Sequence, residues 1–253
     1  MTDHAEHYEK DIQYHAATAH EYDAVVVEPR ELANEILFAD IDHAVPRGGR
    51  MLDIGCDTGH GLMRFGGRFD AVIGIDHSPA MLAMAAVKLK AGGRNNTILV
   101  RQNVFEFMES AFTPFDFVTA IGCFHHLLPE TLPGLLRSIA VALSPGGRLL
   151  VADPIRVDLS KQPAEIAEWN AKSVAVGLDF DSDAEEADEA PLDYALLEGA
   201  LTSAGLEPVA ETRGWELFPH ALPPGDEDRG EIERLHRAHG DSGNVLCTVF
   251  RKP

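Results

Sequence analysis

The chain has 253 residues, 45% of them hydrophobic, with a formal net charge of -20. That length suits one fairly large domain with a sizeable core and argues against two full domains. A surface so acidic repels phosphate backbones, which argues against nucleic acid as a partner.

In chain order, "ELANEILFADIDHAV" (31–45) puts Leu32, Ile36, Leu37 and Ile41 on one face of a helix that Pro46 and Gly48-Gly49 stop. "RMLDIGC" (50–56) reads as a strand running into a glycine-rich loop, "LDIGCDTGHG", and a brief helix closed by Gly66-Gly67. "AVIGID" (71–76) is a second strand. The helix after it has Ser78 as N-cap, Pro79 in the first helical position and Gly92 at its end. "NTILVRQN" (96–103) and "FDFVTAIG" (115–122) follow as strands, then a helix over 130–143 ending in "SPGG", then a fifth strand, "GRLLVADP" (147–154). Strands of unbroken apolar character alternating with helices predict βαβ units: a parallel sheet covered on both faces. Right-handed crossovers then bring the strand C-terminal ends to one edge, where ligands bind.

Beyond Pro154 the rhythm changes. One helix is expected around "PAEIAEWNAKSVAV", followed by an acidic tract, "DFDSDAEEADE" (179–189), read either as a solvated loop or as a lid. A helix over 191–204, the segment "EPVAETRGW" (207–215) and a last strand, "NVLCTVFRK" (244–252), complete the chain; 216–243 is long enough for a lobe. The division expected within a single domain is a cap (1–45), a cofactor-binding core (46–154), a cap insert (155–190) and C-terminal strands with a lobe (191–253). Cys56, Cys123 and Cys247 are widely spaced without a CxxC pair, which fits a reducing compartment without structural zinc. The polar start "MTDHAEHYEKD" has no apolar signal core and no run approaches the roughly 18 residues that span a bilayer, so the expected location is cytoplasmic, with no membrane partner.

Gly55, Gly59 and Gly61 stand at GxxxGxG spacing between strand and helix, and Asp76 closes the next strand 21 residues after Gly55. A carboxylate there is placed to accept both hydroxyls of a ribose, which implies an adenosine-bearing cofactor. NAD(P) is one alternative, but Tyr194 is followed by Glu198 where short-chain dehydrogenases need Tyr-x-x-x-Lys, and Asp53 and Asp57 would face a pyrophosphate. S-adenosylmethionine has no phosphate and carries a sulfonium and an ammonium, which acidic residues suit. A non-catalytic cofactor-binding domain is the other alternative.

"LDIGCDTGHG", "VIGIDHSPAML", "RQNVFEF", "FDFVTAIGCFHHL" and "LSPGGRLLVADP", in that order, resemble the motifs of class I S-adenosylmethionine-dependent methyltransferases of small-molecule type. The resemblance implies a Rossmann-like, doubly wound, seven-stranded and mostly parallel sheet with the last strand antiparallel, an N-terminal helical cap and an insert after strand 5. It places Asp53, Gly55, Cys56 and Gly59 around the methionine moiety, with Asp53 near the ammonium. Asp76 falls on the ribose, His77 and Met81 beside the adenine, Asn103 and Val104 at its edge, and Ile121 and Gly122 closing the methionine end. Asp57 occupies a position that is usually glycine. Tyr22, in "HAATAHEYD", resembles the cap tyrosine that reaches the cofactor. S-adenosyl-L-homocysteine would be the product.

Methyl transfer from a sulfonium is driven mainly by positioning, with effective molarities up to about 10⁵–10⁸ M in well-oriented systems. A base matters where the acceptor is weakly acidic; His125, His126 and His220 are the candidates. His4, His7, His15 and His20 fit no defined metal spacing and read as surface or capping residues. Asp153 alone does not make a catechol-type metal site, so no metal is expected. The expected acceptor is a small metabolite, with oxygen ahead of nitrogen or carbon.

Overall fold

A computed structural model of the protein describes residues 2–110, 113–173 and 190–253. Its strands are β1 Arg50–Ile54, β2 Ala71–Asp76, β3 Thr97–Arg101, β4 Phe115–Ile121, β5 Leu143–Pro154, β6 Glu207–Gly214 and β7 Val245–Arg251. They form one sheet in the order β3-β2-β1-β4-β5-β7-β6. β3, β2, β1, β4 and β5 are parallel, and β7 runs antiparallel to both of its neighbours, β5 and β6. The expected fold class is therefore the observed one.

Among the described residues the helices are α1 Thr2–Thr18, α2 Glu28–Ile41, α3 His60–Phe65, α4 Pro79–Ala91, α5 Val104–Ser110, α6 Leu132–Ala142, α7 Ala164–Asn170, α8 Tyr194–Ser203 and α9 Asp226–His239. None is long and apolar enough to cross a membrane.

Strand alternation divides the core. Leu52, Ile54, Val118, Ala120, Leu149 and Val151 point to a cluster with α6 and α8, which contribute Leu136, Ile139, Leu197 and Leu201. Met51, Val72, Phe117, Leu150 and Val249 point the other way, onto Leu37, Phe38 and Ile41 of α2 and Leu62 and Phe65 of α3. Burial on both faces is why these strands read as unbroken apolar runs. A third cluster joins Leu32 of α2 to Ile166, Trp215, Leu217, Ile232 and Leu235, so the C-terminal lobe has its own small core.

Local signals act as expected in α4: Ser78 Oγ accepts from the Met81 amide at 3.4 Å and Pro79 starts the helix. Three boundaries differ. α2 starts at Glu28, because Pro29 supplies a helix start that the hydrophobic pattern does not register. β5 begins at Leu143 instead of 147: "SPGG" is a bulge, with Phe115 paired to Leu143 before the register resumes at Phe117 and Arg148. The segment 216–243, expected as an irregular lobe, contains α9, whose first turn carries Asp226, Glu227 and Asp228 and whose last carries His236, Arg237 and His239, both signs suiting the helix dipole. The acidic tract 179–189 lies outside the described residues.

Candidate functional site

β1 delivers Asp53 to the ligand edge, and the loop after it turns through three left-handed residues: Gly55 (φ +62°), Asp57 (φ +43°) and Gly59 (φ +86°). A side chain at Gly55 would collide with Cys123 Sγ at 2.8 Å, and one at Gly59 would press on Ala85 at 3.2 Å. Asp57 takes a conformation that aspartate tolerates better than most residues, at modest cost. Its amide donates to Asp76 Oδ2 at 3.0 Å, while the Ser78 amide donates to Asp76 Oδ1 at 2.7 Å. The carboxylate closing β2 is thus fixed by two main-chain donors before any ligand arrives. Tyr22 donates its hydroxyl to Asp57 Oδ2 at 3.3 Å, tying the start of the α2 region to the loop.

Asp53 is 2% exposed and accepts the Thr119 hydroxyl on Oδ1 at 2.6 Å. Burial, together with the charges of Asp57 and Asp76, pushes its carboxyl up to about 7 against the pull of that hydrogen bond. Burial and the Asp76 charge raise Asp57 as well. Buried carboxylates held in this way favour a cationic ligand, whose charge would restore their ionised form.

A larger cavity of about 240 Å³ and a smaller one of about 70 Å³ meet at this edge. Both are lined by His15, Gly55, Asp57, Gly122 and His126. Asp76, His77, Asn103 and Val104 line the smaller, and Tyr22, Asp53, Cys56 and Ile121 line the larger, so the two expected ends of the cofactor fall into adjoining spaces. Two expected residues line neither. Met81 is fully buried inside α4, where packing claims its side chain, and Gly59 serves the turn as the N-cap of α3.

Of the expected bases, His125 and His126 line the larger cavity. His125 Nδ1 stands 2.7 Å from Oδ1 of Asp153, which is 1% exposed and also accepts the Phe124 amide at 3.1 Å. In the tautomer whose Nδ1–H donates to Asp153, Nε2 is the ring's acceptor nitrogen. His220 is stacked on Trp169 at 3.7 Å in the lobe and lines neither cavity, because α7 holds the ring away from the sheet edge.

His15 departs most from its expected surface role. It is 6% exposed and sits one helical turn from Asp11, which is 4% exposed. Burial would raise the Asp11 carboxyl, but the imidazoles of His126, His15 and His77 hold it well below the usual carboxylate range. Burial likewise opposes charge on His15, yet Asp11 and Asp57 push its imidazole up to about 10. The i, i+4 spacing of Asp11 and His15 was visible in the sequence; that it faces inward was not.

A parallel sheet, a glycine turn after β1 and a fixed carboxylate closing β2 define a nucleoside-cofactor domain of Rossmann-like type. Residues 52–149 match the family model described as a methyltransferase domain. That stretch, from within β1 to within β5, is where the chain is similar to methyltransferases, and it spans less than half of the chain. The chain is 29% identical over 142 residues to an uncharacterized methyltransferase of Bacillus licheniformis, covering 54% of this chain and 64% of that one. An uncharacterized methyltransferase of Staphylococcus carnosus is 28% identical over 134 residues, covering 53% and 57% respectively. The chain thus matches less than two thirds of the length of these relatives. The DhpI–SAH complex superposes with a TM-score of 0.60 over 96% of both chains at 19% identity, a likeness of fold.

Proposed function

We propose that the protein transfers the methyl group of S-adenosylmethionine to a small-molecule acceptor, with oxygen ahead of nitrogen or carbon as the atom methylated. The observation that carries this reading is the pair of joined cavities, one bordered by a fixed ribose-type carboxylate and the other by a His–Asp pair. The match of residues 52–149 to a methyltransferase domain and the raised carboxyls of Asp53 and Asp57 support the cationic cofactor.

In this reading Asp76 accepts the ribose hydroxyls, Asn103 and Val104 edge the adenine, and Asp53 draws the ammonium, with Gly55 allowing close approach of the main chain. When bound, the cofactor supplies the methyl group and its sulfur leaves without needing an acid. Tyr22 and the cap cover the methionine end and exclude water. His125, oriented by Asp153, takes the acceptor proton on Nε2, which is the role a hydroxyl acceptor demands. The net charge of -20, which disfavours a phosphate-backbone partner, accords with a small metabolite. The three free cysteines accord with a cytoplasmic location.

Calorimetric titration with S-adenosylhomocysteine tests the base of the proposal. Saturable binding is expected, and no binding at millimolar ligand would overturn it.

A further inference from the structure

Where the two cavities meet, one carboxylate gathers nitrogen atoms from three parts of the chain. Asp11 Oδ1 lies 3.0 Å from His126 Nδ1, just past β4, and 3.3 Å from His15 Nδ1, one turn further along α1. Oδ2 lies 2.9 Å from Nε2 of His77, just past β2. Although two imidazole nitrogens crowd Oδ1, that buried atom accepts no well-directed hydrogen bond among the described residues. The crowding has a simple geometric meaning. Two donor atoms each about 2.1 Å from a shared ion are about 3.0 Å apart at a right angle and about 3.4 Å apart at the tetrahedral angle. Both observed separations fall in that interval, and the three atoms lie within 4.8 Å of one another.

We propose that Asp11, His15 and His126 form a mononuclear site for a divalent first-row transition-metal ion, with His77 orienting the Asp11 carboxylate through its second oxygen. Two imidazoles select such an ion over magnesium or calcium, which prefer oxygen-only surroundings. The His77 contact is the kind of outer hydrogen bond that fixes a ligating carboxylate. Asp57 and Asp76 add negative charge to the same surroundings, since both line the smaller cavity with Asp11. His15 Nδ1 also stands 2.9 Å from the Asp11 main-chain oxygen, and loading exchanges that hydrogen bond for the metal bond. Three protein ligands leave coordination positions open. Because His15 and His126 line both cavities, those positions face the joined space that the cofactor and the acceptor would share, where an acceptor oxygen would complete the shell. The expectation of no metal weighed Asp153 alone and the spacing of His4, His7, His15 and His20 among themselves. The ligands come instead from the cap helix and the loop after β4.

The test uses the full chain stripped with a chelator and titrated with Co²⁺, read by its visible spectrum, then with competing Zn²⁺, with stoichiometry from elemental analysis. Metal binding is read directly, so the result stands apart from any methyl transfer. One ion per chain at micromolar affinity or tighter is expected. Asp11→Asn and His126→Ala should weaken it by at least about tenfold and His77→Ala by about 10–100-fold. His20→Ala, at an exposed position of the cap, should leave it unchanged. Thermal unfolding and S-adenosylhomocysteine binding of each variant report whether it is folded. Absence of Co²⁺ and Zn²⁺ binding by the wild type at about 100 µM would overturn the site. So would folded Asp11→Asn and His126→Ala variants that bind as the wild type does; the cluster would then be a purely protonic link between cap and sheet.

Discussion

Asp76 illustrates how much a single residue here is prepared in advance. Two amides hold its carboxylate, so a ligand meets an oriented acceptor and loses little entropy in ordering it. Asp76→Ala should weaken S-adenosylhomocysteine binding by roughly 1–3 kcal/mol through the lost charge-assisted hydrogen bonds; unchanged affinity in calorimetry would remove it from the ribose. Asp53 gives a pH dependence. Its folded value of about 7 lies above that of an ordinary aspartate, so its contribution to stability declines as pH rises through the interval between them and is level above. A bound ammonium favours the ionised form. Affinity for S-adenosylhomocysteine should therefore rise about tenfold from pH 6 to pH 8, with protons released on binding. A flat profile would mean that Asp53 does not sense the ligand. For His125, replacement by alanine should slow turnover by about 10²–10⁴-fold while cofactor affinity stays within about twofold. A wild-type rate across pH would take the imidazole out of the chemistry.

At the scale of elements, α3 is short and owes its place to packing. Phe65 meets Phe38 of α2 edge-on at 5.4 Å and Phe117 of β4 at 6.0 Å, and it is fully buried. Phe65→Ala should cost about 3–5 kcal/mol in chemical unfolding, because the ring bridges three elements and its loss leaves a cavity. Retained stability would show that the loop is held by its glycines and not by the helix behind it.

At the scale of the whole molecule, among the residues whose burial is described, none of the buried clusters draws on α1. A chain lacking residues 2–18 should still unfold cooperatively, yet bind S-adenosylhomocysteine at least about tenfold more weakly, or ~1.4 kcal/mol. Loss of cooperative unfolding would make the cap part of the fold proper. The same division explains what could be read from sequence. β1 to β5 and their helices declared themselves through apolar runs and local stop signals such as Ser78, Pro79 and Gly92, all short-range physics. The antiparallel β7 carries no local mark of its direction and was reached through the family resemblance. The Asp11 cluster was illegible because His77 and His126 reach it from distant points of the chain. Equally, nothing in the sequence around His220 revealed that Trp169 would capture its ring.

The sheet also has a temporal order built into it. β7 follows β6 in sequence but lies between β5 and β6, and its Val245 and Cys247 form part of the wall of the larger cavity. On the ribosome, a nascent chain that has emerged through β6 can assemble the glycine turn and the pocket around Asp76, while β6 waits without its neighbour. The larger cavity gains its Val245 and Cys247 wall only when β7 occupies the place between β5 and β6. The wall of that cavity is thus completed by the last strand to be synthesised.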